Sequence, residues 1–261
     1  MSKKSKTGNR KKGAPSSLLH FTSVDSFFKM MEPSLNHLGE VPFITFHASH
    51  YAQMNDKNEG RIIASRFFRS QHEAYSEWEK KNGTAFIISF IASREGVMEY
   101  NIPMWLNYGC QGQGLCLRFD TQEIKTYTKS LLEFDACNYL SKKEATDKIK
   151  QLQKKESEVS EDDFRREVVK TVHFSKDKYW EYEEEYRIIK FEHRDKVMQK
   201  STSRGIVEYV PIEIPLDILK GICIGPIADY ERVKYSLETL LSYRIKHKAK
   251  INITQSHLQL Q

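Results

Sequence analysis

The sequence predicts a single α+β domain with a mixed, largely antiparallel sheet flanked by helices. Three observations carry this. Apolar runs with strand character alternate with helical patterns in a partly antiparallel arrangement of about eight strands. One run, TAFIISFI from Thr84 to Ile91, is apolar nearly throughout, as a central strand covered on both faces requires. No internal repeat divides the chain.

The elements follow in order. Leu18 to Phe21 reads as a short strand, after which Thr22 or Ser23 caps a helix with Val24, Phe27, Phe28 and Met31 at helical spacing, ended by Pro33. Val41 to Phe46 is a second strand, leading through His47 and His50 into a turn-rich segment, Asn55 to Gly60. Ile62, Ile63, Phe67, Tyr75 and Trp78 place a long amphipathic helix over Arg61 to Lys80, closed by Asn82-Gly83. The strand from Thr84 is followed by a loop from Ser93 to Asn101. A short helix then has Pro103 in its first turn, and a glycine-rich turn from Gly109 to Gly114 leads into a strand from Leu115 to Phe119. One further strand is expected over Leu131 to Tyr139. From Ser141 to Lys170 the chain is charged and poor in large apolar residues, which predicts an insertion or lid of one or two solvent-facing helices. Ile206 to Ile214 alternates as a strand, Leu216 to Leu219 forms a helical turn, and Gly221 to Ile224 is a short buried strand. Asp229 caps a helix with Val233, Leu237, Leu240 and Leu241 on its apolar face, and Lys250 to Thr254 closes the sheet.

Composition narrows the classes. With 261 residues, 39% hydrophobic and 29% charged, the chain is long enough to bury a sizeable core. No apolar run approaches a membrane span and no signal core follows the N-terminus, so the expected setting is cytoplasmic, with no membrane partner. Cys110, Cys116, Cys137 and Cys223 form no CxxC pair and are expected as small reduced core residues. The net charge of +6 resides in Lys3, Lys4, Lys6, Arg10, Lys11 and Lys12; subtracting these six from 41 basic residues leaves 35 against 35 acidic ones. Residues 1–17 are therefore expected to be a disordered basic tail before a single domain over 18–261, holding nucleic acid loosely through phosphate contacts or serving only as a solubilising leader. Nothing in the sequence fixes an oligomeric state.

The segment Tyr179 to Phe191, YWEYEEEYRIIKF, is aromatic and β-branched and reads as a strand. Alternation then places Glu183, Glu185 and Arg187 on one face, where two carboxylates need a compensating cation, solvent screening or a raised pKa. Taken alone, such a strand reads first as an exposed sheet face with an ion pair. His47 and His50 have a spacing seen in metal pairs, but no third ligand accompanies them, so no metal is expected. The glycine-rich turn precedes a strand instead of opening a helix, which excludes the dinucleotide fingerprint and the phosphate-binding P-loop. His20 ends the first strand just before a helix, where an imidazole with its tautomer fixed by a backbone carbonyl is placed to offer an N–H to a ribose hydroxyl or a phosphate; taken alone, it reads first as a capping or core histidine.

Six segments together resemble the bacterial family called domain of unknown function 2971: Leu19-His20-Phe21-Thr22-Ser23; Asn55-Asp56 with Glu59; Ser89-Phe90 with Met104-Trp105 and Tyr108; Gly114 to Asp120; Trp180 to Arg187; and Leu219 to Pro226. The opening histidine strand and closing glutamate strand are in turn similar to the first and last motifs of the His-Tyr-Glu branch of the ADP-ribosyltransferase superfamily. This resemblance implies a split sheet meeting at a cleft, with NAD as substrate. It also implies that His20 contacts the adenosine-side ribose, that Thr22 and Arg187 belong to the binding set, that Tyr51 or Tyr108 stacks on nicotinamide, and that Glu185 or Glu183 is catalytic. The second glutamate is also similar to the E-x-E of other branches. The expected function is an NAD-consuming enzyme, an ADP-ribosyltransferase or NAD glycohydrolase, in the role of a bacterial toxin or phage-defence effector. The alternative is a non-catalytic nucleotide- or RNA-binding module on the same scaffold. The enzymatic reading requires His20 and Glu185 to meet in one cleft.

Overall fold

The structure, a computed structural model, describes residues 14–36, 41–54, 79–93, 101–129, 132–155, 158–202, 205–245 and 251–259. Its centre is β3 (Thr84–Ser93), whose Ala85 to Ile88 and Phe90 to Ala92 are buried. One edge of β3 pairs antiparallel with β8 (Glu185–Glu192) from Thr84 to Ile91. The other edge is shared by two strands. β1 (Ser17–Thr22) pairs with Ile91 to Ser93, and β2 (Phe43–His50) pairs with Phe86 and Ile87. Ile88, Ser89 and Phe90 thus have a ladder partner on the β8 edge alone, and the sheet splits beside them.

Two arms leave the split. From β1 the sheet continues through β4 (Leu115–Asp120) and β11 (Leu219–Ile224), both antiparallel, to β12 (Asn252–Gln255), which is parallel. From β2 it continues through β10 (Gly205–Pro215) to β9 (Met198–Thr202). β5 (Glu133–Ala136) covers the outer edge of β8, while β6 (Asn138–Leu140) and β7 (Ser175–Asp177) form a separate parallel pair. The architecture is α+β with a mostly antiparallel split sheet, as expected, but it has twelve strands among the described residues instead of about eight. The shortest strands, of three to five residues, leave too little alternation to read.

The main core lies on one face, where Phe86, Ile88, Phe90, Leu117, Phe119 and Ile212 pack under α1 (Val24–Asn36) and α6 (Tyr230–Glu238). Ser23 caps α1, its Oγ accepting from Ser26 N at 3.0 Å. Two expectations for α1 are corrected. Phe28 is 49% exposed, and Met30 takes its place on the buried face. Pro33 does not end the helix, because Ser34 Oγ binds both backbone groups of Phe43 and holds the last turn against β2.

On the opposite face α2 (Ile102–Asn107) packs Met104 and Trp105 with Leu19, Phe21 and Ile91. The strand expected over Leu131 to Tyr139 is two strands broken at Cys137, whose N–H turns to Glu185 O. A helix absent from the sequence reading, α3 (Thr121–Thr128), is capped by Asp120 Oδ1, which accepts from Glu123 N at 2.8 Å. The D-x-x-E spacing was its signal. The charged segment forms a hairpin of α4 (Lys142–Lys155) and α5 (Glu161–His173), with its own cluster of Ala145, Ile149, Leu152, Phe164, Val168 and Val172.

The expected turn at Asn55 to Gly60, most of the helix from Arg61 and most of the loop after Ser93 lie outside the described residues. The helix's last turn is described, and Gly83 closes it at φ 86°, donating to Glu79 O. Of the expected tail, 1–13 lie outside; Ser16 O accepts from Thr121 N and Ser17 already belongs to β1. Cys116, Cys137 and Cys223 are buried, but Cys110 is exposed. Among the described residues no helix is long and apolar enough to cross a membrane.

Candidate functional site

The split opens a cavity of about 570 Å³. It is lined from both sides of the sheet, because the gap between β1 and β2 passes beside β3. His20, Thr22, Phe46, Ser89, Tyr108, Lys176, Trp180, Glu183 and Glu185 all face it.

His20 is the first residue of β1 past its ladder with β3, and it stays paired with Leu117 of β4. Its Nδ1 lies 3.1 Å from Ser89 O, a carbonyl on the open edge of β3. A carbonyl only accepts, so Nδ1 is the protonated nitrogen and Nε2 of the neutral ring is an acceptor. Burial, against this hydrogen bond, lowers the pKa and keeps the ring neutral. Edge contacts with Phe46 and Phe90 hold its plane. The expectation that His20 offers an N–H to a ligand is therefore corrected: its N–H is spent on Ser89 O, and the remaining ring nitrogen is an acceptor.

The carboxylates arrive by a route that simple alternation does not describe. Asp177 caps a 3₁₀ turn over Lys178–Glu183, and Glu184, at φ 41° and ψ 49°, turns the chain into β8. The strand therefore begins at Glu185, not at Tyr179. Glu183 comes from the turn, and Glu185 and Arg187 from one face of β8; the three still converge. Relative exposures of 4% for Glu183, 3% for Glu185, 7% for Lys176 and 0% for Arg187 exclude the exposed ion-pair reading.

The cluster balances two cations against two anions. Lys176 Nζ donates to Glu183 Oε2, and to Glu185 Oε2 at 2.8 Å. Arg187 donates to both oxygens of Glu185, at 2.8 and 3.2 Å, and Ser89 Oγ donates to Oε1 at 2.5 Å. Four donors fill the roughly four lone-pair sites of Glu185. Glu183 accepts from Lys176 on one oxygen and from Tyr108 Oη, at 3.2 Å, on the other, which leaves acceptor capacity facing the cavity. Burial pushes the Glu185 carboxyl up from its ordinary range, while contact with Lys176 and Arg187 favours the ionised form. Burial would lower the Lys176 ammonium, but Glu185 and Glu183 outweigh it and hold it above the usual lysine range. The Tyr108 phenol is raised by burial and by Glu183, so it remains a neutral donor.

Two expected site residues lie elsewhere. Tyr51 does not line the cavity; it stacks on His50 and meets His173 edge-on. Arg187 lies beneath the cavity, binding Glu185 and His173 O. His47 and His50, three apart on β2, project to opposite faces: His47 to Lys200 and Tyr209, His50 to Tyr51 and Phe86. The glycine turn spends its amides internally, Gly112 and Gly114 on Gly109 O and Gln113 on Cys110 O. A Cβ on Gly225 would lie 2.1 Å from Gly112 O, so this corner is a close backbone junction. The sequence reading did not single out Ser89, Lys176 or Trp180 for the site. Ser89, the hydroxyl within an apolar central strand, carried a signal; Lys176 carried none.

A family profile described as "Protein of unknown function (DUF2971)" matches residues 104–188, bearing out that resemblance over about a third of the chain. The matched stretch contains Tyr108, Lys176, Glu183 and Glu185. No curated protein matches the chain. Among solved structures, Thermus sp. 2.9 DarT in complex with ADP-ribosylated ssDNA is similar at 11% identity and a TM-score of 0.36, over 92% of this chain and 94% of that one. The same protein in complex with NAD+ is similar at 11% identity and a TM-score of 0.35, over 92% and 95%. Likeness of that order leaves the chemistry to be argued from the residues.

Proposed function

We propose that this protein is an NAD-consuming enzyme that breaks the bond between nicotinamide and ribose, either transferring ADP-ribose or releasing it to water. The observation that carries this reading is the meeting of His20 with Glu183 and Glu185 in one cavity through Ser89, which binds His20 by its carbonyl and Glu185 by its hydroxyl. His20 Nε2 accepts from a hydroxyl of the adenosine-side ribose. Glu183, with acceptor capacity open, takes the 2′-hydroxyl of the other ribose. As the C–N bond breaks, its electron pair leaves with nicotinamide and positive charge develops on the ribose; the nearby carboxylate stabilises that charge. The attacking hydroxyl or water then gives its proton to a carboxylate of the pair. Trp180 and Tyr108 offer aromatic faces to the nicotinamide, and Lys176 holds both carboxylates in register. A toxin or phage-defence role belongs to the same reading, on the family resemblance alone.

Saturation of Glu185 favours the second reading, a nucleotide-binding module without turnover, over any mechanism that needs this carboxylate free. One assay separates them. Purified protein incubated with NAD, with and without cell extract or nucleic acid as acceptor, should release nicotinamide. Glu183→Gln should lower the rate by about a hundredfold or more, with the chain still folded at the assay temperature by circular dichroism. Release unchanged in that variant ends the assignment of Glu183; no release under any condition, with NAD still bound, establishes the module.

A further inference from the structure

The same cavity has a second charged region, on the β2, β10 and β9 arm. Lys200, in the middle of β9, and His47, on β2, line it together with Lys29, Ser26, Gln53, Ser201 and Thr202. The half-buried Lys200 ammonium donates to His47 Nδ1 at 3.1 Å and lies 5.1 Å from the centre of the Tyr209 ring. Among the described residues it forms no ion pair, and the only carboxylates lining the cavity, Glu183 and Glu185, are held by Lys176 and Arg187. A half-buried cation whose partners are an imidazole and an aromatic face is partly desolvated, and an anion beside it would offset that cost. Because an ammonium only donates, His47 Nδ1 is the acceptor and the neutral ring carries its proton on Nε2, a second donor beside the first. Ser26 and Ser201 line the same region and bring two further hydroxyls, while the Thr202 hydroxyl donates to Gly205 O. Burial and then Lys29, itself paired with Asp25 at 2.8 Å, lower the Lys200 pKa, and burial and then Lys200 lower that of His47 to about 4, which keeps the ring neutral beside the ammonium.

We infer that Lys200 and His47 form a phosphate subsite, which takes the pyrophosphate of a dinucleotide whose riboses lie at His20 and Glu183. This rests on the proposed NAD-binding reading of the cavity, and it explains why charge is gathered at a distance from the reacting bond: remote binding energy fixes the orientation of the part that reacts.

Isothermal titration of the full chain with inorganic pyrophosphate, ADP-ribose and nicotinamide riboside, in wild type, Lys200→Met, Lys200→Arg and Glu183→Gln, tests it. Methionine keeps the apolar stem and removes an unpaired cation, so the variant should melt no lower than wild type. Lys200→Met should weaken pyrophosphate and ADP-ribose by about tenfold or more, Lys200→Arg should retain most of the affinity, and nicotinamide riboside should be unaffected. Glu183→Gln should leave pyrophosphate binding intact. Equal affinity of wild type and Lys200→Met for both phosphate ligands overturns the subsite, as does failure of wild type to bind either. Lys200-dependent pyrophosphate binding without nicotinamide release keeps the subsite while the enzymatic reading falls; nicotinamide release with Lys200-independent binding does the reverse.

Discussion

Lys176 holds two buried carboxylates 7 and 9 residues further along the chain, and its neighbour across the small sheet, Tyr139, accepts the backbone N–H of Glu185 through its hydroxyl. One side chain therefore decides whether Glu183 and Glu185 can stand side by side. Lys176→Met leaves Arg187 alone to compensate both, and a buried ion cluster that loses one partner costs about 3 kcal/mol or more. The urea midpoint at pH 7 should fall accordingly, and the deficit should shrink as pH falls and a carboxyl protonates. A deficit of the same size at pH 5 and pH 7 would show that the loss is packing and not charge. Nothing around Lys176 in the sequence announced this: Ser-Lys-Asp reads as solvated, and a lysine's burial is set by what lies opposite it.

At the level of elements, the α4 and α5 hairpin is tied to the sheet by charge. Arg166 and Lys170 both bind Glu133 on β5, and Arg187 of β8 binds the carbonyl of His173 at the end of α5. The His173 ring is 2% exposed, set against Tyr51 and Phe191, and burial with the nearby His50 lowers its pKa to about 3. The sign follows from which state binds the proton. Below pH 6.5 the unfolded chain protonates this histidine and the folded chain does not, so the stability it contributes is complete above pH 6.5 and is lost as pH falls toward 3. Between pH 7 and pH 4 this loss is on the order of 3 kcal/mol for His173. His20, His47 and His50 are shifted in the same direction and add to the slope. Denaturation midpoints across that range should fall steeply in wild type and less steeply in His173→Gln. Equal slopes would remove His173 as a source. The hairpin itself was legible as a charged helical segment; its attachment was not, because the partners on β5 and β8 are set by pairing between distant strands.

For the whole molecule, the split is the decisive feature, since β3 gives one edge to two diverging strands and leaves Ser89 to serve the cavity on both sides. The charge distribution belongs to this scale too. Six basic residues lie within the first twelve, and the remainder is balanced at 35 against 35. Deleting residues 1–13, which leaves Ser16 and β1 in place, should weaken binding to single-stranded nucleic acid and flatten its dependence on salt, while nicotinamide release without an acceptor is unchanged. Binding and salt slope equal to those of the full chain, measured by fluorescence anisotropy, would place the contact on the folded body.

Local pattern by itself determined the α+β class, the central strand, most of the longer helices and strands, and the sharing of one strand face by Glu185 and Arg187. These follow from periodicity and capping, which act over a few residues. Tertiary structure alone decided that His20 spends its Nδ1 proton on Ser89 O, that Tyr108 and not Tyr51 faces the cavity, that Glu185 is bound by four donors and Glu183 by two, and that Lys176 is buried and Lys200 half-buried. Each of these depends on which groups from distant strands lie within hydrogen-bonding reach. Reach of that kind is fixed by sheet pairing, and sheet pairing has no local signature.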